Sequence, residues 1–223
     1  MKLKSFLKIP YTFVKQIYKS LKSEILELRQ SESKRYKKLI DAYTNVGLSK
    51  ERDSHIKHLN ECLVSLDLPK YKENEGMYSE HLVIFSALST SKNIPKKILE
   101  IGTYDGKTAS ILARLFPNSS IITLDLKDND PIFLQIYNRD DDLKNFINFR
   151  NNQLKKNNNI SFIQANSLFL SFSNELKGQD LIWIDGAHGY PIVTSDITNC
   201  LRLLNISGLM MCDDVWKYLP NSD

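Results

Sequence analysis

Three carboxylates and a histidine stand at the ends of two apolar runs late in the sequence. In DLIWIDGAHGY, Asp185 ends the apolar run and His188 follows three residues later. In GLMMCDDV, Asp213 and Asp214 end the next apolar run. Carboxylate oxygens are preferred ligands of Mg²⁺, Mn²⁺ and Ca²⁺, and a neutral imidazole can accept a proton at about pH 7. Together these residue types indicate metal-assisted removal of a proton.

A glycine-containing loop, ILEIGTYDGKTA, carries a second set of functional candidates. Gly102 allows a tight turn after the apolar run, and Gly106 lets the backbone approach a ligand at the positive end of the next helix. Asp125 follows nineteen residues later, about where a doubly wound fold places the acid that binds a ribose hydroxyl pair. Tyr104 replaces the middle glycine of a dinucleotide-binding loop, and Glu100 would repel a phosphate. The loop therefore favours a ligand without a phosphate, such as a sulfonium cation with an amino-acid tail.

Apolar runs alternate with amphipathic helical stretches from residue 95 onward. The runs are KKILEIG, IITLDL, ISFIQANS, DLIWIDG and GLMMCDDV. Continuous apolar strands that alternate with helices are typical of a parallel sheet buried on both faces. The sequence therefore predicts an α/β fold with a doubly wound, Rossmann-like parallel sheet. A helix that starts at Pro191 and is closed by a turn at Ser207-Gly208 would precede the fifth strand.

The motifs E-x-G-x-x-x-G-x-T, an acid ending strand two, D-x-x-H and D-D-V together resemble those of the class I S-adenosylmethionine-dependent methyltransferases. The sequence is most similar to the metal-dependent O-methyltransferases of catechols and caffeoyl-CoA, and to relatives that methylate sugars of macrolides and surface glycans. The resemblance covers roughly residues 76–216, with the motifs in the expected order. It implies S-adenosylmethionine as methyl donor and the strand order 3-2-1-4-5.

The resemblance also implies roles for individual residues. Four residues of the glycine loop would line the methionine end of the cofactor: Glu100, Gly102, Tyr104 and Gly106. Asp125 would bind the ribose hydroxyls, and Asn166 and Ser167 would lie at the adenine. Met77 and Ser79 match the segment that closes over the cofactor.

The implied strand order brings the carboxylates together. Strands one and four are neighbours at the topological switch point, where ligands bind. Asp185 would therefore lie beside the glycine loop, with Asp213 and Asp214 ending the next strand. Three carboxylates at one place require a cation or shifted pKa values, which predicts a divalent metal with Mg²⁺ as the first choice. The metal would chelate two adjacent acceptor hydroxyls, and His188 would take the proton.

Two positions differ from the catechol-type pattern, in which a lysine stands at the position of His188 and an asparagine at that of Asp214. The present residues look more like those of the sugar-modifying branch. The expected acceptor is therefore a hydroxyl of a vicinal diol on a sugar or glycosylated small molecule. A purely structural interpretation remains for each residue: Asp185 and Asp213 as helix caps, and His188 as a surface residue.

Two other functions are compatible with these patterns. One is a nucleotide-dependent oxidoreductase on the same fold, although Tyr104 argues against it. The other is a non-catalytic cofactor-binding or scaffold module.

The methyltransferase fold normally continues with a helix and two strands after strand five, whereas only WKYLPNSD follows here. The expectation is either a truncated domain or a fifth strand that something else covers at the sheet edge. A bare apolar edge strand would favour association, such as a homo-oligomer.

Three segments are predicted along the chain. They are a basic amphipathic helical arm (1–38), a helical segment (39–90) and the S-adenosylmethionine-binding domain (91–223). Apolar residues recur at helical spacing over residues 14–28, which predicts an amphipathic helix. This helix could contact an anionic membrane surface or a partner helix. Packing on its own domain, or a solvated leader, is the slightly favoured alternative.

Charge and cysteine content bear on partners and location. The net charge is +4, but residues 1–38 carry +8, so the remaining chain is acidic and no nucleic-acid partner is expected. The three cysteines show no ligand spacing, which is typical of reduced thiols in the cytosol. Because no uncharged stretch approaches the length of a membrane span, the expected location is cytoplasmic, with the arm as the one membrane contact.

Overall fold

The computed structural model describes residues 34, 36–73, 80–135 and 142–213. The chain divides into two compact units, Met1–Lys50 and Glu51–Asp223. In the first unit, helix α1 (residues 36–45) ends where the Leu48 N–H donates to the Tyr43 carbonyl and Gly47 adopts a φ of 74°. A left-handed glycine is a common helix stop.

The amphipathic stretch at 14–28 lies outside the described residues, and the three-segment division stays a prediction.

The second unit contains a parallel sheet and six further α-helices among its described residues. The helices are α2 (Arg52–Ser65), α3 (Glu80–Ser89), α4 (Lys107–Leu115), α5 (Pro131–Gln135), α6 (Leu143–Leu154) and α7 (Ile192–Leu203), with a 3₁₀ helix at Ser167–Phe172. The strands are β1 (Lys97–Ile101), β2 (Ser120–Asp125), β3 (Ile160–Gln164), β4 (Gln179–Ile184) and β5 (Leu204–Cys212). Their order is β3-β2-β1-β4-β5 and all neighbours are parallel. The predicted α/β doubly wound fold is confirmed.

Alternate residues of each strand point to opposite faces of the sheet. Helices cover both of these faces. On one face Ile182 and Ile184 belong to an apolar cluster with Cys200 and Leu203 of α7. On the other face Trp183 packs edge-on against Phe85 of α3, with 5.4 Å between the ring centres. This second face also carries the site residues of β1, because Glu100 pairs in register with Trp183.

Arg52 connects the first turns of α2 and α3. Only 5 % of its side chain is exposed, and its guanidinium donates to both carboxylate oxygens of Glu80 at 3.0 and 2.8 Å. A third contact, of 3.3 Å, reaches Glu73. The two-oxygen contact of a rigid guanidinium fixes direction as well as distance, so it orients the start of α3.

The fifth strand differs from its predicted extent. It starts at Leu204, directly after α7, whereas the sequence predicted a turn at Ser207-Gly208 first. In its pairing with β4, Leu204 lies opposite Gln179 and the next paired residue, Leu209, lies opposite Leu181, so the register shifts between them. A β-carbon at Gly208 would lie 2.8 Å from the Leu204 side chain. Gly208 therefore lies in a β-bulge within the strand and does not form a turn before it.

Among the described residues, no helix combines the length and the apolar character that crossing a membrane requires.

Candidate active site

The turn after β1 lies directly against the end of β4. Gly102 has a φ of 98°, and its N–H donates to the Leu124 carbonyl at 2.8 Å. A β-carbon at this position would stand 2.1 Å from the Asp185 carbonyl oxygen. The Asp185 N–H in turn donates to the Ile101 carbonyl at 2.8 Å. Only glycine permits this approach, and the predicted proximity of Asp185 to the glycine loop is observed.

Tyr104 holds a backbone conformation that is unusual for a side chain of its size. Its φ is 47°, in the left-handed region that glycine usually occupies. The Tyr104 N–H donates to Asp125 Oδ2 at 2.9 Å, and the ring lies 5.5 Å from that of Phe146 in α6. Gly106, with a φ of 77°, then leads into α4. Backbone strain held in place by surrounding contacts is common at ligand-binding loops.

The Asp125 carboxylate is fixed at the end of β2 by backbone donors. Oδ2 accepts from Tyr104 and Oδ1 accepts from the Leu126 N–H at 2.8 Å. Each carboxylate oxygen can accept a further hydrogen bond through its second lone pair. The carboxylate is half-exposed, so it can receive a ribose hydroxyl pair from solvent.

Glu100 is a fully buried acid beneath this loop. Its Oε2 accepts from the Thr123 hydroxyl, which lies 2.6 Å from the Thr103 hydroxyl. Its Oε1 has no hydrogen-bond partner among the described residues. Burial is the main reason that the pKa of Glu100 is raised well above its usual range, and the charges of Asp185 and Asp125 add to the effect. A buried acceptor in a negative environment suits a cationic ligand group, such as the ammonium of a methionine moiety.

The raised pKa of Glu100 predicts a stability change with a defined sign. The folded state holds the proton more tightly than the unfolded state, so this residue destabilises the protein increasingly as pH rises above the unfolded pKa of 4.5. Glu100→Gln should therefore stabilise the ligand-free protein by about 1–2 kcal/mol at pH 8 and by less at pH 5. Thermal denaturation at both pH values measures this.

The same substitution should weaken binding of S-adenosylhomocysteine about tenfold, because the amide, unlike the carboxyl group, cannot release a proton to pair with the ammonium. Thr123→Val is the matched control: it removes the hydroxyl that Glu100 accepts from and leaves the carboxylate in place. A Glu100→Gln protein less stable than wild type at pH 8 would contradict the assignment of an unfavourable buried acid.

The Asp185 and His188 side chains contact each other, with His188 Nε2 3.2 Å from Asp185 Oδ1. The imidazole is 41 % exposed and the carboxylate 25 %, so both are accessible to an acceptor. A carboxylate at this distance orients the imidazole ring. The pair can therefore receive a proton from a hydroxyl group.

Asp213 follows β5 at the strand end next to Asp185. Its N–H donates to the Ile184 carbonyl at 2.9 Å, and its side chain is half-buried. Asp214 lies outside the described residues. Within the described ranges, no group of three or more His, Cys, Asp or Glu side chains is arranged to hold a metal ion. The structure thus brings two of the predicted carboxylates to neighbouring strand ends, while the three-carboxylate metal centre stays a prediction.

His81 of α3 is a site-proximal residue that the sequence interpretation missed. Its ring lies 4.4 Å from that of Trp183, and burial lowers its pKa to about 4 although the nearby Asp213 charge opposes this. A neutral imidazole therefore packs against Trp183 of β4, near the Asp213 charge. The one available sequence signal was a histidine at the edge of an apolar helical stretch.

The predicted adenine-side residues directly follow the end of β3. Asn166 caps the 3₁₀ helix, and its Oδ1 accepts from the Leu168 N–H at 3.0 Å. The Ser167 carbonyl accepts from the Asn199 side chain at 3.1 Å. Both residues therefore have structural roles beside the predicted one. Met77 and Ser79 lie outside the described residues.

A model of one protein family, described as a methyltransferase domain, matches residues 99–215. The match runs from β1 past the end of β5 and includes the glycine loop, Asp125, Asp185 and His188. The chain belongs to the methyltransferase-domain family. The predicted resemblance to class I S-adenosylmethionine-dependent methyltransferases is thereby confirmed, and a methyltransferase is favoured over the oxidoreductase and the scaffold module.

Solved structures similar to this methyltransferase have low sequence identity to it. The S-adenosylhomocysteine-bound PaMTH1 of Podospora anserina is 17 % identical, with 95 % of this chain and 73 % of that chain covered and a TM-score of 0.44. The O-methyltransferase TomG from Streptomyces achromogenes is 13 % identical (80 % and 72 % covered, TM-score 0.45). MycE of the mycinamycin biosynthetic pathway is 19 % identical (71 % and 37 % covered, TM-score 0.47). A comparison with curated proteins found no match.

Proposed function

We propose that this methyltransferase transfers the methyl group of S-adenosylmethionine to a hydroxyl of a vicinal diol, on a sugar or glycosylated small molecule. The observation that carries the cofactor half of the proposal is the pair of acids near the carboxyl ends of β1 and β2. Glu100 offers a buried oxygen without a partner among the described residues, and Asp125 is fixed by two backbone donors. Those groups suit the ammonium and the ribose hydroxyls of the cofactor, respectively.

Asp185 and His188 carry the proposed chemistry on the acceptor side. When bound, S-adenosylmethionine supplies a methyl group activated by a sulfonium. His188 takes the proton of the acceptor hydroxyl, and Asp185, 3.2 Å away, stabilises the imidazolium that results. The deprotonated oxygen is then the nucleophile for the methyl group, and the role of the protein is chiefly to position it.

A divalent metal forms part of the proposal. Asp185 and Asp213 stand at neighbouring strand ends, and together with Asp214 they would hold the ion. An all-oxygen ligand set favours Mg²⁺ over zinc. The ion would supply charge that acidifies the acceptor hydroxyl.

Calorimetric titration of S-adenosylhomocysteine into the purified chain tests the cofactor half of the proposal. We expect saturable binding, with affinity at least about tenfold weaker in Asp125→Ala, because the ribose loses its acceptors. Lys127→Ala, two residues further on, is the matched control and should bind as wild type does. Failure of the folded wild-type chain to bind would overturn the assignment.

Methyl transfer from labelled S-adenosylmethionine to a panel of sugars and catechols tests the acceptor half. Reactions with Mg²⁺ and with EDTA separate a metal-dependent transferase from a metal-independent one. Transfer to catechols alone would overturn the sugar assignment, and full activity in EDTA would overturn the metal assignment.

We infer that partners other than the cofactor and acceptor contact the N-terminal arm. Residues 14–28 are the proposed contact with an anionic membrane surface or a partner helix. We also propose a cytoplasmic location and formation of a homo-oligomer. Vesicle co-sedimentation of the full chain would test the membrane contact, and sedimentation velocity would test the oligomeric state.

A further inference from the structure

Asp196, on the buried face of α7, is an acid in an unfavourable environment. Only 1 % of the residue is exposed, and neither carboxylate oxygen has a hydrogen-bond partner among the described residues. A carboxyl group placed in this way costs free energy, since it loses water and gains no replacement. Native proteins retain few such groups, and a retained one calls for an explanation.

The surroundings of Asp196 place it between two loops of the site. Asp196 Oδ2 lies 3.6 Å from the position that a β-carbon on Gly186 would occupy, directly after Asp185. Burial raises the pKa of Asp196. On the other side of the carboxyl group, the Ser167 hydroxyl lies near enough to offset part of this effect, although it does not reach hydrogen-bond geometry. The carboxyl group therefore lies beneath both the β4–α7 loop and the 3₁₀ helix.

Asn199, three residues along the same helix, shows how α7 holds one of these loops. Its side chain donates to the Ser167 and Leu168 carbonyls at 3.1 and 3.4 Å. Asn199 is thus a buried polar residue whose hydrogen bonds explain why it is retained in the protein interior. Asp196 is buried more fully and reaches towards the second loop without such bonds.

We propose that Asp196 is a positioning residue that supports the turns at Ser167 and Gly186 from beneath and sets the spacing between the two loops. This inference rests on the proposed function, because Ser167 is expected at the adenine of the cofactor and the loop at Gly186 carries Asp185 and His188. The Asp196 carboxyl group already lies beneath both loops in the ligand-free protein, close to Gly186 on one side and to the Ser167 hydroxyl on the other. The group is therefore retained for ligand binding at the expense of the stability of the ligand-free protein.

Asp196→Leu separates this role from a structural one. Replacing an unpaired buried carboxyl by an apolar group of similar shape should leave the melting temperature unchanged or raise it. The same variant should bind S-adenosylhomocysteine about tenfold more weakly, since the loops lose their support. Asp196→Asn keeps an acceptor in the same place and should bind within about threefold of wild type. Thermal denaturation and calorimetry give the two readouts.

Cys200→Ala is the matched control, because Cys200 is fully buried one turn further along the same helix. It should lower the melting temperature and leave the affinity unchanged. Asp196→Leu that binds as tightly as wild type would overturn the proposal. If Asp196→Leu does not fold, Asp196→Ser replaces it and should show the same loss of affinity, since its short side chain cannot reach Gly186.

Hydrogen exchange of peptides covering residues 185–190, without ligand, distinguishes failure of this proposal from failure of the proposed function. Faster exchange by about tenfold in Asp196→Leu supports the positioning role even where the wild-type chain binds no S-adenosylhomocysteine. Unchanged exchange in that case overturns it.

Discussion

Gly102→Ala is expected to prevent this methyltransferase from folding stably, and with that to abolish cofactor binding. The new β-carbon would lie 2.1 Å from the Asp185 carbonyl oxygen, 2.6 Å from its carbon and 2.9 Å from the Gly186 Cα. All three are backbone atoms, and the Asp185 N–H is already bound to the Ile101 carbonyl. The φ of 98° adds strain of its own. The expected loss of unfolding free energy exceeds about 4 kcal/mol, which is at the extreme of single substitutions.

Two other glycines make matched controls for Gly102→Ala. A β-carbon at Gly186 would meet its nearest neighbours at 3.4–3.8 Å, which is ordinary contact, so Gly186→Ala should change stability by less than about 1 kcal/mol. Gly47 has a φ of 74° and open space, so Gly47→Ala isolates the backbone strain at about 1 kcal/mol. Urea denaturation followed by circular dichroism compares the three. A Gly102→Ala protein as stable as Gly186→Ala would show that β1 and β4 do not meet as described.

The contact between Gly102 and Asp185 was predictable from the sequence because it depends only on strand order. An apolar run followed by glycine, and another followed by aspartate, place both residues at one edge of a parallel sheet. The start of β5 was not predictable in the same way. Leu203 ends α7 and Leu204 starts the strand, so one apolar stretch spans both elements without a stop signal. Gly208 then indicated a turn where the chain forms a bulge.

Other parts of the site depend on packing that no local pattern encodes. The hydrogen-bonded contact between Glu100 and Thr123 requires the register of β1 against β2, which pairs these two residues. His81 and Asp196 lie on helices whose polar residues, by pattern alone, would be assigned to solvent. Their proximity to the site follows from how α3 and α7 pack on opposite faces of the sheet. The proximity of His81 and Asp196 to the site is therefore visible only in the tertiary structure, whereas the loop residues can be recognised from the local sequence.

The proposed base gives the second large expected effect. His188→Ala should slow methyl transfer by about 10²–10⁴-fold, because the acceptor hydroxyl loses the group that takes its proton. The affinity for S-adenosylhomocysteine should remain within about twofold of wild type, since the proposed cofactor contacts come from the loops after β1, β2 and β3. Steady-state rates with the acceptor from the panel, together with calorimetry, measure the two quantities. His58→Ala, a histidine substitution in α2, is the control.

Asp185→Asn makes the test of His188 more specific. Asp185 is proposed to act twice, as the partner of the imidazole at 3.2 Å and as a metal ligand, so its loss should remove both contributions. We therefore expect Asp185→Asn to slow transfer more than His188→Ala and to abolish the difference between reactions with Mg²⁺ and with EDTA. His188→Ala should retain that difference. If His188→Ala transfers methyl groups at the wild-type rate while Asp185→Asn does not, the metal alone activates the acceptor, and the histidine is not the base.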